Sequence, residues 1–172
     1  MLEKYFSLEE IENLKNNSDL LFKTLEIVLR LFNGKVDKSG VPYINHLMKV
    51  YEGVSEYKEK IVALLHDVVE DTEVTFEDLK ELGYCDEIIY ILSFLTKKKG
   101  EYYPDYIDRL ISSNNIHVLN IKLSDLKHNM DITRITNPSV NDYERVNKRY
   151  APAYLKVESK LNELLNNKEK EK

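Results

Sequence analysis

Apolar residues recur along this chain at the three- and four-residue spacing of helices, and no stretch alternates in the manner of a strand. Ser7-Leu8-Glu9-Glu10 reads as a capping box that opens a short helix, with Glu10 three residues after Ser7. Asn16-Asn17-Ser18-Asp19 breaks that helix and caps the next. Leu21, Leu25, Val28 and Phe32 then predict a core helix, ended at Gly34. After a polar loop over 35–42, the spacing predicts a helix from Tyr43 to about Val54 with His46 in its first turn. A central helix follows from about Ser55 to Asp71. Thr75 caps a short helix that stops at Gly83, and 86–95 is strongly apolar and helical. A basic loop, Thr96 to Gly100, leads to a helix with Pro104 near its start and Ile111 near its end. The stretch 116–130 is helical with Leu119, Leu123, Leu126 and Met130 inward. A last helix is predicted over 142–165, bent at Pro152, with a disordered tail beyond it. The pattern predicts an all-α fold: a single compact helical bundle, one domain over 1–172 with its core at about 20–165.

Composition narrows the partners. A chain of 172 residues suits one domain with a real core. Five glycines and four prolines favour helices over strands and turns. The net charge of −5 argues against binding a nucleic-acid polymer, although a small anion in a local basic pocket remains open. The single cysteine, Cys85, excludes an internal disulfide and a thiolate metal cluster. With charges throughout the first twenty residues and no apolar run of bilayer length, no membrane association is expected, and a cytoplasmic location is.

The chemistry concentrates in Ala63-Leu64-Leu65-His66-Asp67-Val68-Val69-Glu70-Asp71-Thr72. On one helix, His66 and Glu70 would form a stripe, with Asp67 and Asp71 on the stripe beside it. Such a cluster on an otherwise apolar helix needs a cation, a water network or basic neighbours. An acidic end also opposes the helix dipole, an objection that a bound metal would remove. His46, on the preceding helix, falls within reach of His66 and Asp67 if the two helices are antiparallel neighbours. Lys122, Asp125 and Asn129 share one polar stripe that faces a cavity or solvent.

Four segments in this order resemble the HD superfamily of metal-dependent phosphohydrolases, and within it the RelA/SpoT-type alarmone hydrolase domain and its small stand-alone relatives. They are Lys38-Ser39-Gly40-Val41-Pro42-Tyr43-Ile44-Asn45-His46, the stretch 63–72, Ile121-Lys122-Leu123-Ser124-Asp125 and Tyr150-Ala151-Pro152. The resemblance implies that His46, His66, Asp67 and Asp125 hold one divalent metal, with manganese favoured. It implies that Glu70 and Asp71 position and help deprotonate the attacking water. Lys38 and Ser39 match the loop that meets the nucleotide base, and Lys122 and Asn129 match pocket residues beside the metal. Lys97, Lys98 and Arg134 are candidates for the phosphates, unless the lysine run is simply a solvated loop. Tyr150 is a candidate to stack on or hydrogen-bond the nucleoside, unless it simply packs.

The chain also departs from the pattern. Asp37 stands where the alarmone hydrolases typically have arginine, and Leu126, Lys127 and Asp131 fall in a segment that elsewhere carries two arginines. The expected activity is hydrolysis of a phosphorylated nucleotide, with the 3′-pyrophosphate of (p)ppGpp as the leading substrate. The alternatives are another nucleotide (a nucleoside monophosphate, a cyclic nucleotide or NADPH) or a nucleotide-sensing module without catalysis.

Overall fold

A computed structural model describes residues 1–170. Among these residues the fold is all helical: the only extended pairing is a single bridge between Val36 and Pro42. The helices are α1 (Leu8–Asn16), α2 (Leu20–Leu31), α3 (Ile44–Glu52), α4 (Tyr57–Leu65), α5 (Val68–Asp71), α6 (Phe76–Glu81), α7 (Asp86–Leu95), α8 (Tyr103–Ser112), α9 (Ile116–Met130), α10 (Val140–Arg145) and α11 (Ala151–Lys170).

The caps legible in the sequence form as hydrogen bonds. Ser7 and Thr75 make reciprocal capping boxes with Glu10 and Asp78, and Asp19 accepts the Phe22 amide. Each satisfies amides that a helix start leaves without partners. At the centre lies α4, whose Ile61, Val62, Ala63, Leu64 and Leu65 are all fully buried, packed on α2, α3, α7 and α9. Burying each such leucine or isoleucine contributes roughly 1.5–3 kcal/mol. The periodicity of α2 hides two polar surprises. Lys23 is buried and donates its Nζ to the Leu82 carbonyl at 2.6 Å, and buried Thr24 meets the Tyr84 hydroxyl at 2.8 Å.

Two sequence expectations are corrected, and a third is met with a change of pitch. The central helix is not continuous: α4 stops at Leu65, and α5 begins at Val68. The break falls on His66-Asp67, where the Asp67 backbone sits at the edge of the helical region (φ −100°, ψ −2°) and the His66 ring bonds back to the Ala63 carbonyl. The stripe argument, which assumed one straight helix, therefore fails at this point. The last predicted helix runs without a break from Val140 through Lys170, α10 passing into α11. Pro152 has no amide to donate, and the turn before it widens into a π-helical segment, Val146–Tyr150, with the Ala151 amide reaching back to Val146. Finally, the expected disordered tail continues α11 to Lys170; Glu171 and Lys172 lie outside the described residues.

Helices α3 and α9 approach closely where they flank the site. Ser124 Oγ donates to the Val50 carbonyl at 2.9 Å, and a Cβ on Gly53 would fall inside van der Waals contact of that hydroxyl. Glycine here lets the end of α3 lie directly against α9.

Candidate metal centre

Three helices deliver the polar groups: His46 from the first turn of α3, His66 and Asp67 from the α4–α5 break, and Asp125 from the middle of α9. His46, His66 and Asp125 are all buried, and their ligand atoms form a compact triad. The two imidazole Nε2 atoms are 3.2 Å apart. Asp67 Oδ2 lies 3.4 Å from His46 Nε2 and 3.1 Å from His66 Nε2, and Asp125 Oδ1 lies 3.4 and 3.8 Å from the same atoms. Donors about 2.1 Å from one ion stand roughly 3.0–3.4 Å apart along the edges of an octahedron or tetrahedron. Four of the five separations match a mononuclear site, and the fifth, from His66 to Asp125, is longer at 3.8 Å.

The ring tautomers agree with this. His66 Nδ1 donates to the Ala63 carbonyl at 2.7 Å, which leaves Nε2 bare. His46 Nδ1 meets His128 Nδ1 at 2.7 Å. Burial, with His46 and Arg134 adding to it, lowers the His128 pKa to about 4. With both rings neutral and protonated at Nδ1, their Nε2 lone pairs would face each other at 3.2 Å, a repulsive contact that a cation between them would relieve. Charge points the same way. Burial opposes protonation of His46, yet Asp125 and Asp67 raise it to about 9, and His66 is raised as well. Both aspartates are held below their ordinary range despite burial, Asp67 by His66 and His46 and Asp125 by Lys122 and the histidines. The centre calls for positive charge, and its donor set fits a divalent metal.

A second layer supports the donors. Tyr43, stacked on Phe32 at 5.1 Å, donates its hydroxyl to Asp67 Oδ2 at 2.6 Å. Buried Lys122 reaches Asp125 Oδ2 at 2.7 Å, and Asn129 donates to Asp125 Oδ1. The stripe over 122–129 thus faces a cavity, and both of its outer members act on Asp125.

That cavity, about 190 Å³, is lined by the four donors together with Glu70, Asp71, Lys97, Tyr103 and Arg149, among others. Glu70 Oε2 accepts the Lys97 amide at 3.0 Å; desolvation, with Asp67 nearby, raises its carboxyl against that bond. Asp71 is tied to Lys35 at 2.6 Å. A second cavity of about 240 Å³ shares His46, Tyr43, Asn129 and Tyr150 with the first, and adds Asp37, Lys38, Arg134, Asp142 and Arg145. Asp37, whose Oδ1 accepts the Ser39 and Val41 amides, pairs through Oδ2 with Arg134. The charge reversed at position 37 is thereby matched by an arginine from beyond α9. Lys98 is exposed and lines neither cavity, so the structure does not bring it to the site. His128, Tyr43, Arg145 and Arg149 are the site residues that sequence reasoning missed. Only the position of His128, three residues after Asp125 on one helix, offered a signal.

No family model matches the chain. It is, however, 31% identical over 153 residues to a guanosine-3′,5′-bis(diphosphate) 3′-pyrophosphohydrolase of Borreliella burgdorferi, an alignment covering 82% of this chain and 23% of that protein. The chain belongs to the HD superfamily, with the RelA/SpoT-type hydrolases. It is 35% identical over 109 residues to the bifunctional (p)ppGpp synthase/hydrolase SpoT of Escherichia coli, covering 56% of the chain and 16% of that protein. This HD-type domain therefore spans less than a quarter of these curated relatives. A solved metazoan orthologue of SpoT, described as hydrolysing ppGpp, has the same fold: the TM-score is 0.67 at 21% identity, over 88% of this chain and 97% of that one. Among the described residues no helix is long and apolar enough to cross a membrane.

Proposed function

We propose that this HD-type domain hydrolyses a phosphorylated nucleotide with the help of one divalent metal, and that the substrate is guanosine 3′,5′-bis(diphosphate), cleaved to release pyrophosphate. The observation that carries this reading is the convergence of buried His46, His66 and Asp125 with Asp67 beside Glu70, in a cavity that Lys97 and Arg149 also line. Two imidazoles and two carboxylates suit manganese, iron, cobalt or zinc. Manganese is our choice, on the family resemblance. A cation held there polarises a phosphoryl oxygen and lowers the pKa of water.

The remaining steps belong to the chain's own groups. Glu70, its carboxylate fixed by the Lys97 amide, accepts a proton from the attacking water. The water oxygen joins the phosphorus at the ribose 3′ position, the bond from phosphorus to O3′ breaks, and O3′ takes a proton. Asp71 orients the water from its ion pair with Lys35. The nucleoside enters the second cavity, against Lys38, Ser39, Arg134 and Tyr150. Lys122 serves indirectly, by holding Asp125.

The test is turnover of ppGpp by metal-stripped protein with and without manganese, read as released pyrophosphate. Manganese-dependent release is expected in wild type, with a loss of about 10²–10⁴-fold in Glu70→Gln at unchanged metal affinity. Absence of turnover in protein shown to bind manganese would overturn the substrate assignment. The Asp37–Arg134 pair favours a second reading, another nucleotide whose base or sugar meets a carboxylate-held arginine. Orthophosphate or a different leaving group as product would identify it.

A further inference from the structure

Among the described residues, three buried side-chain polar atoms have no hydrogen-bond partner: Ser39 Oγ, Arg134 Nε and Tyr103 Oη. An unpartnered buried donor is a real penalty, so folded chains rarely keep one without cause. All three belong to the region of the candidate site. Arg134 lines the second cavity and Ser39 sits in its loop; both are already assigned above to the substrate. Tyr103 is not. It enters the metal cavity from the first turn of α8, a helix that supplies no metal donor.

The ring is fixed. The Arg149 guanidinium lies over its face at 3.9 Å, with Tyr106 and Tyr150 at centroid distances of 5.9 and 6.4 Å. The hydroxyl thus cannot swing out to solvent without breaking this stack. Burial, opposed by Lys122 and reinforced by Asp125, raises its pKa, so the phenol remains a neutral donor at physiological pH. A fixed, neutral O–H without an acceptor, in a cavity that also holds the candidate metal donors, is complementary to an anionic oxygen.

We propose that Tyr103 is a further substrate-contacting catalytic residue, whose hydroxyl donates a hydrogen bond to a phosphoryl oxygen seated beside the metal triad. This rests on the phosphohydrolase reading above. It does not depend on which nucleotide carries the phosphoryl group.

The experiment uses inorganic pyrophosphate as probe. Its affinity for manganese-loaded wild type, Tyr103→Phe and Tyr102→Phe is measured by calorimetry, together with thermal stability and ppGpp turnover. Tyr102 is the exposed neighbour, and its phenylalanine variant controls for the chemistry of the substitution. Tyr103→Phe is expected to bind pyrophosphate about 5–10-fold more weakly and to lose about 10–100-fold in turnover. Its melting temperature should stay equal or rise, because the orphaned hydroxyl is gone, while Tyr102→Phe should match wild type throughout. A merely structural Tyr103 would instead lower stability and leave pyrophosphate affinity alone. Equal pyrophosphate affinity in wild type and Tyr103→Phe, or no pyrophosphate binding at all, overturns the proposal. If wild type binds pyrophosphate but does not turn over ppGpp, the substrate reading fails while the affinity comparison still decides the role of Tyr103.

Discussion

His128 touches no predicted donor except the Nδ1 of His46, yet that one contact sets which nitrogen of His46 faces the metal centre. A ligating imidazole depends on the partner of its other nitrogen for tautomer and orientation, and losing that partner typically weakens metal affinity 10–100-fold. We therefore expect His128→Ala to bind manganese about 10–100-fold more weakly with the fold intact, a result checked by metal titration alongside circular dichroism. Unchanged affinity would mean that the ring of His46 is held by packing alone. The candidate donors stand out in the sequence because His66-Asp67, His46 and Asp125 interrupt apolar helices, where charge without a partner is costly, and the family resemblance joins them into one set. Their supporting groups do not stand out. Tyr43, His128 and Arg149 act through residues 24, 82 and 46 positions away; each is of a type that packs or solvates in most helices, and periodicity carries no record of such distant partners.

Between α7 and α8, the basic loop looked like a solvated run of lysines, but it is anchored at both ends. Arg109 on α8 donates to the Thr96 carbonyl at 2.9 Å and grips both oxygens of Glu101, at 2.7 and 2.9 Å, while Glu101 also accepts the Lys98 amide. This clamp fixes the backbone from which the Lys97 amide holds Glu70. The Arg109 hydrogen bonds lower the Glu101 carboxyl to about 2, against an ordinary value of 4.5 in the unfolded chain. A depressed carboxyl contributes stability that is present above the unfolded value and disappears as pH falls through the folded one. Glu101→Gln should therefore be less stable than wild type by about 1–2 kcal/mol at neutral pH, a bidentate pair trimmed for solvent screening. The gap should close between about pH 4.5 and pH 2. Denaturant melts at pH 7, 4 and 2.5 check this, and a gap that persists at pH 2.5 would assign the effect to shape rather than charge. The element boundaries show the same division between local and tertiary causes. Caps at Ser7, Asp19 and Thr75 are local chemistry and were readable. The π turn before Pro152 is local too, since the proline that marks it was readable, whereas the break at His66-Asp67 accompanies side chains turned toward a cavity, which no local pattern encodes.

At the scale of the molecule, the four donors come from helices that meet only when the bundle is assembled, with α3 and α9 pressed together at Gly53 and Ser124. The unfolded chain offers no such arrangement, so a metal bound at this centre stabilises the folded state by mass action. At a free concentration one hundred times the dissociation constant the gain is about 2.7 kcal/mol. In a chain of this size that raises the melting temperature by roughly 5–11 °C. Excess chelator should reverse the shift. Asp67→Asn serves as the control: the amide keeps the shape and still accepts from Tyr43, but lacks the charge that a divalent ion requires beside two neutral imidazoles. Without metal, the variant also removes one of the carboxylates that draw protons onto His46 and His66, so its apo stability is compared at the same pH. Wild type that rises with manganese, beside a variant that does not, would show that the polar heart of this bundle is completed by a cation. If both melt at the same temperature with and without the ion, the aspartates and imidazoles satisfy one another through protons alone, and the proposed chemistry loses its centre.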